Sequence, residues 1–155
     1  MITKEIEINK YHPCGDAMKF RLQYPDFQSA WDNCPRGDWM LWIAQKVGVD
    51  LQTLTLAKAL CANTVRGLIT SKVSIKAIDI ALLFGHDKAT RTELAAAADA
   101  AADAAAYAAD AAAYAAAYAA DAAYDADAAA ENQKETADIC RQILTEQVLY
   151  LINKK

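Results

Sequence analysis

At 155 residues the chain is long enough for one domain with a real core and too short for two ordinary ones. Its net charge of −4 hides an asymmetry, because residues 93–133 carry eight acidic groups and no Lys or Arg, whereas the remainder has 12 acidic against 16 basic residues. That disfavours non-specific nucleic-acid binding by the acidic face, and permits either a basic protein partner or attraction between the two halves of the chain.

The first residues, MITKEIEINK, are charged and lack the apolar run of a secretory signal. Residues 2–8 suit a short strand or a frayed extension. From Asp16 onward the pattern is helical. Asp16 is a candidate N-cap for AMKFRLQY, which Pro25 ends, and Asp26 caps FQSAWDNC, which Pro35 ends. Asp38 is then placed to cap WMLWIAQKV, with Gly48 in the usual position just past the helix end. Trp39, Leu41, Trp42, Ile43 and Val47 give that helix a broad apolar surface. Asp50 caps the segment from Leu51 to Ile69, where Leu51, Leu54, Ala57, Leu60, Cys61 and Val65 recur at helical spacing. Ser74 opens IKAIDIALLFG, and Asp87 or Thr90 caps the next helical segment. The last Gly or Pro is Gly85, so the seventy residues after it contain no helix breaker.

Residues 95–130 contain 26 Ala, 6 Asp and 4 Tyr and nothing else. Ala is the best helix former, and Tyr and Asp at these intervals do not break the run. At about 100° per residue, Tyr107, Tyr114 and Tyr118 fall within about 20° of one direction, and Asp103, Asp110, Asp121 and Asp125 within about 60° to one side. One face therefore carries Tyr and Asp, and the other is all methyl groups. A membrane span is excluded, since each central Asp costs about 2.5–3.5 kcal/mol and Ala offsets little of it. A spacer helix would mix Glu with Lys at i,i+4, and no Lys is present. The tract reads as a packing surface with a decorated outer side.

Ala137, Cys140, Leu144, Val148 and Leu151 continue the phase of the Ala face. A single helix from about 89 to 152 would run roughly 95 Å, against about 25–30 Å for a helical domain of the preceding 88 residues. Either the tract folds back near Tyr124–Asn132, where the Tyr phase slips and Asn132 interrupts the Ala run, or a second chain covers the Ala face in a homodimer. The fold-back in a monomer is the favoured expectation. The predicted fold is a single all-α domain over 1–155, with short helices over 1–88 packed with a long Ala-rich helix or helical hairpin over 89–153.

Candidate chemistry is sparse. Cys14, Cys34, Cys61 and Cys140 show no CxxC spacing, and His12 and His86 are the two histidines, so no metal site is expected. Buried reduced thiols and a cytoplasmic location fit this usage. No P-loop, GxGxxG, GxSxG or HExxH occurs, and no cofactor is expected. In Trp31–Trp42, a tight turn between helices, Cys34 beside Arg36 is the single nucleophile candidate, and no His lies near it in sequence. An enzyme is the least supported class.

The turn Cys34-Pro35-Arg36-Gly37-Asp38-Trp39, the apolar helix ending at Gly48-Val49-Asp50, the Ala/Asp/Tyr tract and Ala137-Asp138-Ile139-Cys140-Arg141 together resemble a family of bacterial and phage immunity proteins (immunity-protein-five-like). The resemblance spans roughly 12–145, and that family tends to have Val where this chain has Cys140. It implies a small, cytoplasmic, non-enzymatic protein that neutralises a toxin or other effector by binding it, with no catalytic residues to carry over. The expected partner surface is Asp103, Tyr107, Asp110, Tyr114, Tyr118 and Asp121, since Tyr is enriched at interfaces and acidic charge steers a basic partner. Cys34, Arg36, Asp38 and Trp39 are a structural motif or part of a pocket. A second class is sequestration of a small nucleotide-like signal in a pocket between bundle and Ala helix, lined by Tyr, Trp and Arg36. A structural or ice-binding helix is a third, and the lack of regularly spaced Thr in 95–130 counts against it.

Overall fold

The computed structural model describes residues 6–101 and 122–154, and within these it is helical without strands. The elements in chain order are α1 (Ile6–Asn9), α2 (Gly15–Leu22), α3 (Phe27–Asn33), α4 (Gly37–Val47), α5 (Leu51–Asn63), a 3₁₀ turn at Arg66–Leu68, α6 (Lys72–Gly85), α7 (91–101) and α8 (Ala122–Lys154). Ile6–Asn9 is one turn of helix, not the strand that the alternation in ITKEIEI also allowed. No helix among the described residues is long and apolar enough to cross a membrane.

Local chemistry sets most of the boundaries. Asp26 caps α3 by accepting the Ser29 N–H at 2.7 Å, and Asp50 caps α5 by accepting the Thr53 N–H at 2.9 Å. Gly48 ends α4 in the left-handed region at φ 94°, which a residue without Cβ adopts at no steric cost. Thr90 and Glu93 form a reciprocal capping box at the start of α7, each side chain accepting the other's backbone N–H.

Three expected caps lie elsewhere. The α2 helix begins at Gly15, so Asp16 sits in its first turn beside Lys19 and does not cap it. The α4 helix begins at Gly37 with Arg36 at the N-cap position, and Asp38 is in the first turn with its carboxylate held by Arg36. In α6 the cap is Ser71, whose hydroxyl accepts the N–H of Ser74 three residues on. The α5 helix also stops at Asn63, not at Ile69. There the Thr64 hydroxyl donates to the Cys61 carbonyl at 2.7 Å and the chain enters the 3₁₀ turn.

The core lies where α8 packs against α4 and α5, with α3 touching α8 and α6 packed on the far side of α5. From α8 it takes Ala137, Cys140, Leu144 and Val148, all 0% exposed, the stripe that the Ala-face phase predicts, whereas Leu151 is half-buried at its edge. Facing them are Met40, Ile43, Ala44 and Val47 of α4 and Leu54, Ala57 and Cys61 of α5. Ala44, Ala57 and Ala137 are fully buried, and these short side chains let the helices approach closely. Gly37 takes this further. A Cβ there would come 2.8 Å from the Thr136 carbonyl carbon and overlap its side chain. Gly85 is likewise pressed against Leu56 of α5.

The region where a fold-back was expected is continuous helix, because α8 runs unbroken through Tyr124–Asn132. Asn132 does not interrupt it. Its amide donates to the Thr64 hydroxyl at 2.7 Å and ties α8 to the end of α5. Leu94 and Ala98 of α7 border the same groove as Ala59 and Ala62 of α5. Residues 98 and 132 therefore both lie near the C-terminal part of α5, whereas one straight helix would separate them by about 50 Å. The single straight helix over 89–152 is therefore excluded, and the fold-back is not at Tyr124–Asn132. Even alanines of α7 that border the grooves toward α5 and α6, such as Ala96 and Ala98, are exposed, so this part of the tract is not the tightly covered Ala face expected from composition.

Candidate functional site

The turn between α3 and α4 and the middle of α8 interlock. Trp31, at the end of α3, is 3% exposed, and its indole N–H donates to the Thr145 hydroxyl at 2.8 Å. That hydroxyl in turn donates to the Arg141 carbonyl at 2.5 Å, within α8. Arg141 reaches the other way: Nη1 donates to the Cys34 carbonyl at 2.7 Å and the Trp31 carbonyl at 3.4 Å, and Nη2 pairs with Asp138 at 2.6 Å. These carbonyls lie at the C-terminus of α3, where the Trp31 carbonyl also accepts the Cys34 N–H at 3.2 Å, and a guanidinium placed there opposes the helix dipole. Cys140 adds a thiol contact to the Gly37 carbonyl at 3.7 Å. The two short motifs, Cys34–Trp39 and Ala137–Arg141, thus meet in space although about a hundred residues separate them.

Within the turn, Arg36 grips Asp38 with two parallel bonds, Nε to Oδ1 at 2.9 Å and Nη2 to Oδ2 at 2.5 Å, and its guanidinium lies 4.6 Å over the Trp39 ring. The Arg36 hydrogen bonds hold the Asp38 carboxyl below the ordinary carboxylate range. The pair is exposed, and its energetic worth is correspondingly small. Trp39 also packs against Phe20, with ring centroids 5.9 Å apart.

Cys34 does not have the surroundings of a nucleophile. It is buried, its thiol contacts the Arg36 carbonyl at 3.5 Å, and burial pushes its pKa up more strongly than that contact and the nearby Arg141 and Arg36 charges pull it down. An activated thiol needs the opposite balance, a positive environment with access to water. Among the described residues no group of three or more His, Cys, Asp or Glu is assembled that could hold a metal ion.

A cavity of about 60 Å³ lies on the other side of the turn, between α1, α2, α3 and α4. Phe20, Phe27, Trp31, Trp39 and Trp42 line it with Cys34 and Arg21. Arg21 is 3% exposed and donates to the Tyr24 carbonyl at 3.2 Å. Arg36 lies outside this cavity, and α8 does not border it, so it is not the expected pocket between bundle and Ala helix. Its volume is well short of the roughly 300–1,000 Å³ of a ligand site. Two open grooves of about 330 and 370 Å³ do flank α7. Among the described residues their walls are Ala, Val, Ile and Leu with Lys76 and Glu93 in one and Thr55 and Lys58 in the other, without Trp or Arg36.

Comparison with protein-family models, with curated proteins and with solved structures finds no match to this chain. The site residues therefore rest on their own geometry. Cys34, Arg36, Asp38 and Trp39 come together as the joint between α3, α4 and α8. Asp103, Tyr107, Asp110, Tyr114, Tyr118 and Asp121 lie outside the described residues. Arg141, Thr145 and Thr136 form the joint's other half, a role that their sequence context does not announce. One available signal was Trp31, since a buried indole N–H requires an acceptor, and Thr145 four residues after Arg141 lies on the same side of a helix.

Proposed function

We propose that this chain is a non-enzymatic binding protein that neutralises a protein effector, in an immunity or counter-defence setting, through the Tyr- and Asp-bearing face of residues 95–130. The observation that supports it most is that both ends of this tract are tied to the bundle. On one side α7 starts from a capping box and lies beside α5 and α6; on the other, α8 is buried against α4 and α5. Anchoring the segments that flank a binding surface lowers the entropic cost of binding in general. At the rival location, the Trp31–Trp42 turn, the Trp31 indole and the Trp31 and Cys34 carbonyls are engaged with α8, and the thiol is buried with its pKa raised by burial. The motif resemblance to immunity proteins points the same way. Sequestration of a nucleotide-like signal has less support, since the aromatic cavity is too small for one.

The test is capture from host-cell lysate with two baits, the wild-type chain and a Tyr114→Ala, Tyr118→Ala double variant of equal thermal stability. A protein retained by the first and lost by the second supports the tract as the partner surface. Equal retention by both moves the surface to the α3–α4 turn.

A further inference from the structure

Away from the tract, Cys61 of α5 and Cys140 of α8 face each other in the core with their sulfurs 4.0 Å apart. Both residues are buried, at 8% and 0% exposure. The two helices are held close at this level by the fully buried Ala57 and Ala137, one turn earlier on each helix. Each thiol also touches one carbonyl, Cys61 that of Thr136 and Cys140 that of Gly37, both at 3.7 Å. The sulfurs are neighbours with no atom between them.

We propose that Cys61 and Cys140 are an oxidisable pair that staples the last turn of α5 to the middle of α8 when the chain meets a peroxide. A disulfide needs sulfurs about 2.05 Å apart, so closure requires about 2 Å of relative movement, shared between two side-chain rotations and a small helix shift. Access comes from the α5 end. Cys61 is two residues from the last residue of that helix, and its carbonyl accepts from Thr64 just past the helix end, through both N–H and hydroxyl, with Asn132 donating to the same hydroxyl. Helix ends open at the lowest free-energy cost, so Cys61 is the thiol that reaches solvent first. It is also the more acidic of the two, because the hydrogen bond with Cys140 lowers its pKa, and that bond together with burial raises the pKa of Cys140.

In the first step the Cys61 thiolate attacks a peroxide oxygen and the O–O bond breaks. The sulfur becomes a sulfenic acid, and the departing hydroxide takes a proton to become water. In the second, the Cys140 sulfur attacks the Cys61 sulfur, the S–OH bond breaks, and the hydroxide leaves as a second water with the Cys140 proton. Two thiols are oxidised by two electrons and one peroxide is reduced to two waters. The new bond closes a loop across 79 positions that contains α6, α7 and the whole Ala/Asp/Tyr tract. Constraining a loop of that length in the unfolded chain raises stability.

The experiment uses the full chain carrying Cys14→Ser, which removes the exposed thiol. After treatment with hydrogen peroxide and quenching, the expected product is about 2 Da lighter, alkylates at one thiol and not three once unfolded, and yields a Cys61–Cys140 linked peptide. Its melting temperature rises by several degrees, and dithiothreitol reverses both changes. In the Cys140→Ala background the mass loss disappears and Cys61 is trapped as an oxygen adduct. The proposal is overturned if three thiols remain alkylatable after prolonged peroxide, if the link joins Cys34 to either partner, or if the Cys61–Cys140 link forms and lowers the melting temperature.

Discussion

Gly37 and Asp50 show how much single residues carry in this fold. Gly37 is a point of close approach between α4 and α8, and a methyl group there would meet Thr136 backbone as well as side chain. Gly37→Ala should cost about 1–3 kcal/mol, the usual range for overpacking, read as a lower urea midpoint. Thr136→Ala in the same chain should recover only part of it, because the backbone contact remains. Asp50 accepts the Thr53 N–H and also binds Gln147 of α8, whose amide donates to its carboxylate at 2.5 Å. These bonds, the Thr53 N–H first, hold the Asp50 carboxyl below its ordinary value. A carboxyl whose folded pKa is depressed contributes stability that is complete above the unfolded value of about 4 and is lost as pH falls through the folded one. Asp50→Ala should therefore cost about 0.5–2 kcal/mol at neutral pH. The gap from wild type should narrow on acidification below about pH 4, and denaturation midpoints across that range check it. Whether a residue's role could be read from sequence depended on how local it was. Asp26, Gly48, Asp50 and Thr90 act within three or four positions, and the sequence shows those partners directly. Asp38 is no cap because α4 starts one residue earlier, at Gly37, and its carboxylate is taken by Arg36.

At the scale of elements, α8 organises the molecule. Its buried stripe was legible from periodicity alone, because Ala137, Cys140, Leu144 and Val148 keep helical phase and α4 and α5 present matching apolar faces. What sequence could not show was the direction from which α3 arrives. That is set by Trp31–Thr145 and Arg141–Cys34, bonds whose partners lie 114 and 107 positions apart. The fold-back is not at Asn132 for a physical reason: this residue looks like an interruption in an Ala run, yet a single Asn costs a helix only a few tenths of a kcal/mol, and Thr64 offers its amide an acceptor. The close α4–α5–α8 packing leads to a paired test. Ala137→Leu puts three extra carbons into a fully buried position and should cost about 1–3 kcal/mol. Ala130→Leu, seven residues earlier on the same helix and exposed, should change stability by less than about 0.5 kcal/mol. Thermal melts of the two variants side by side decide it, and equal losses would contradict the packing described for α8.

Taken whole, the described residues form one helical core from Ile8 to Val148, and the acidic, Tyr-bearing tract spans the sequence from α7 into α8. The candidate joint around Cys34–Trp39 could be located from sequence by its unusual composition, yet its job as a brace emerges only with α8 in place. The claim on which the functional reading stands is that the tract's Tyr- and Asp-bearing face binds a basic protein, with Tyr as anchors and Asp as steering charge. The direct measurement is a kinetic titration of the captured partner at two salt concentrations against wild type, the Tyr114→Ala, Tyr118→Ala double variant and the Asp103→Asn, Asp110→Asn double variant. Each Tyr truncation should cost about 2 kcal/mol or more, mostly through faster dissociation. The Asp pair should slow association and flatten its salt dependence with dissociation little changed. Wild-type affinity and association rate in both double variants, with unchanged melting temperatures, would contradict the account.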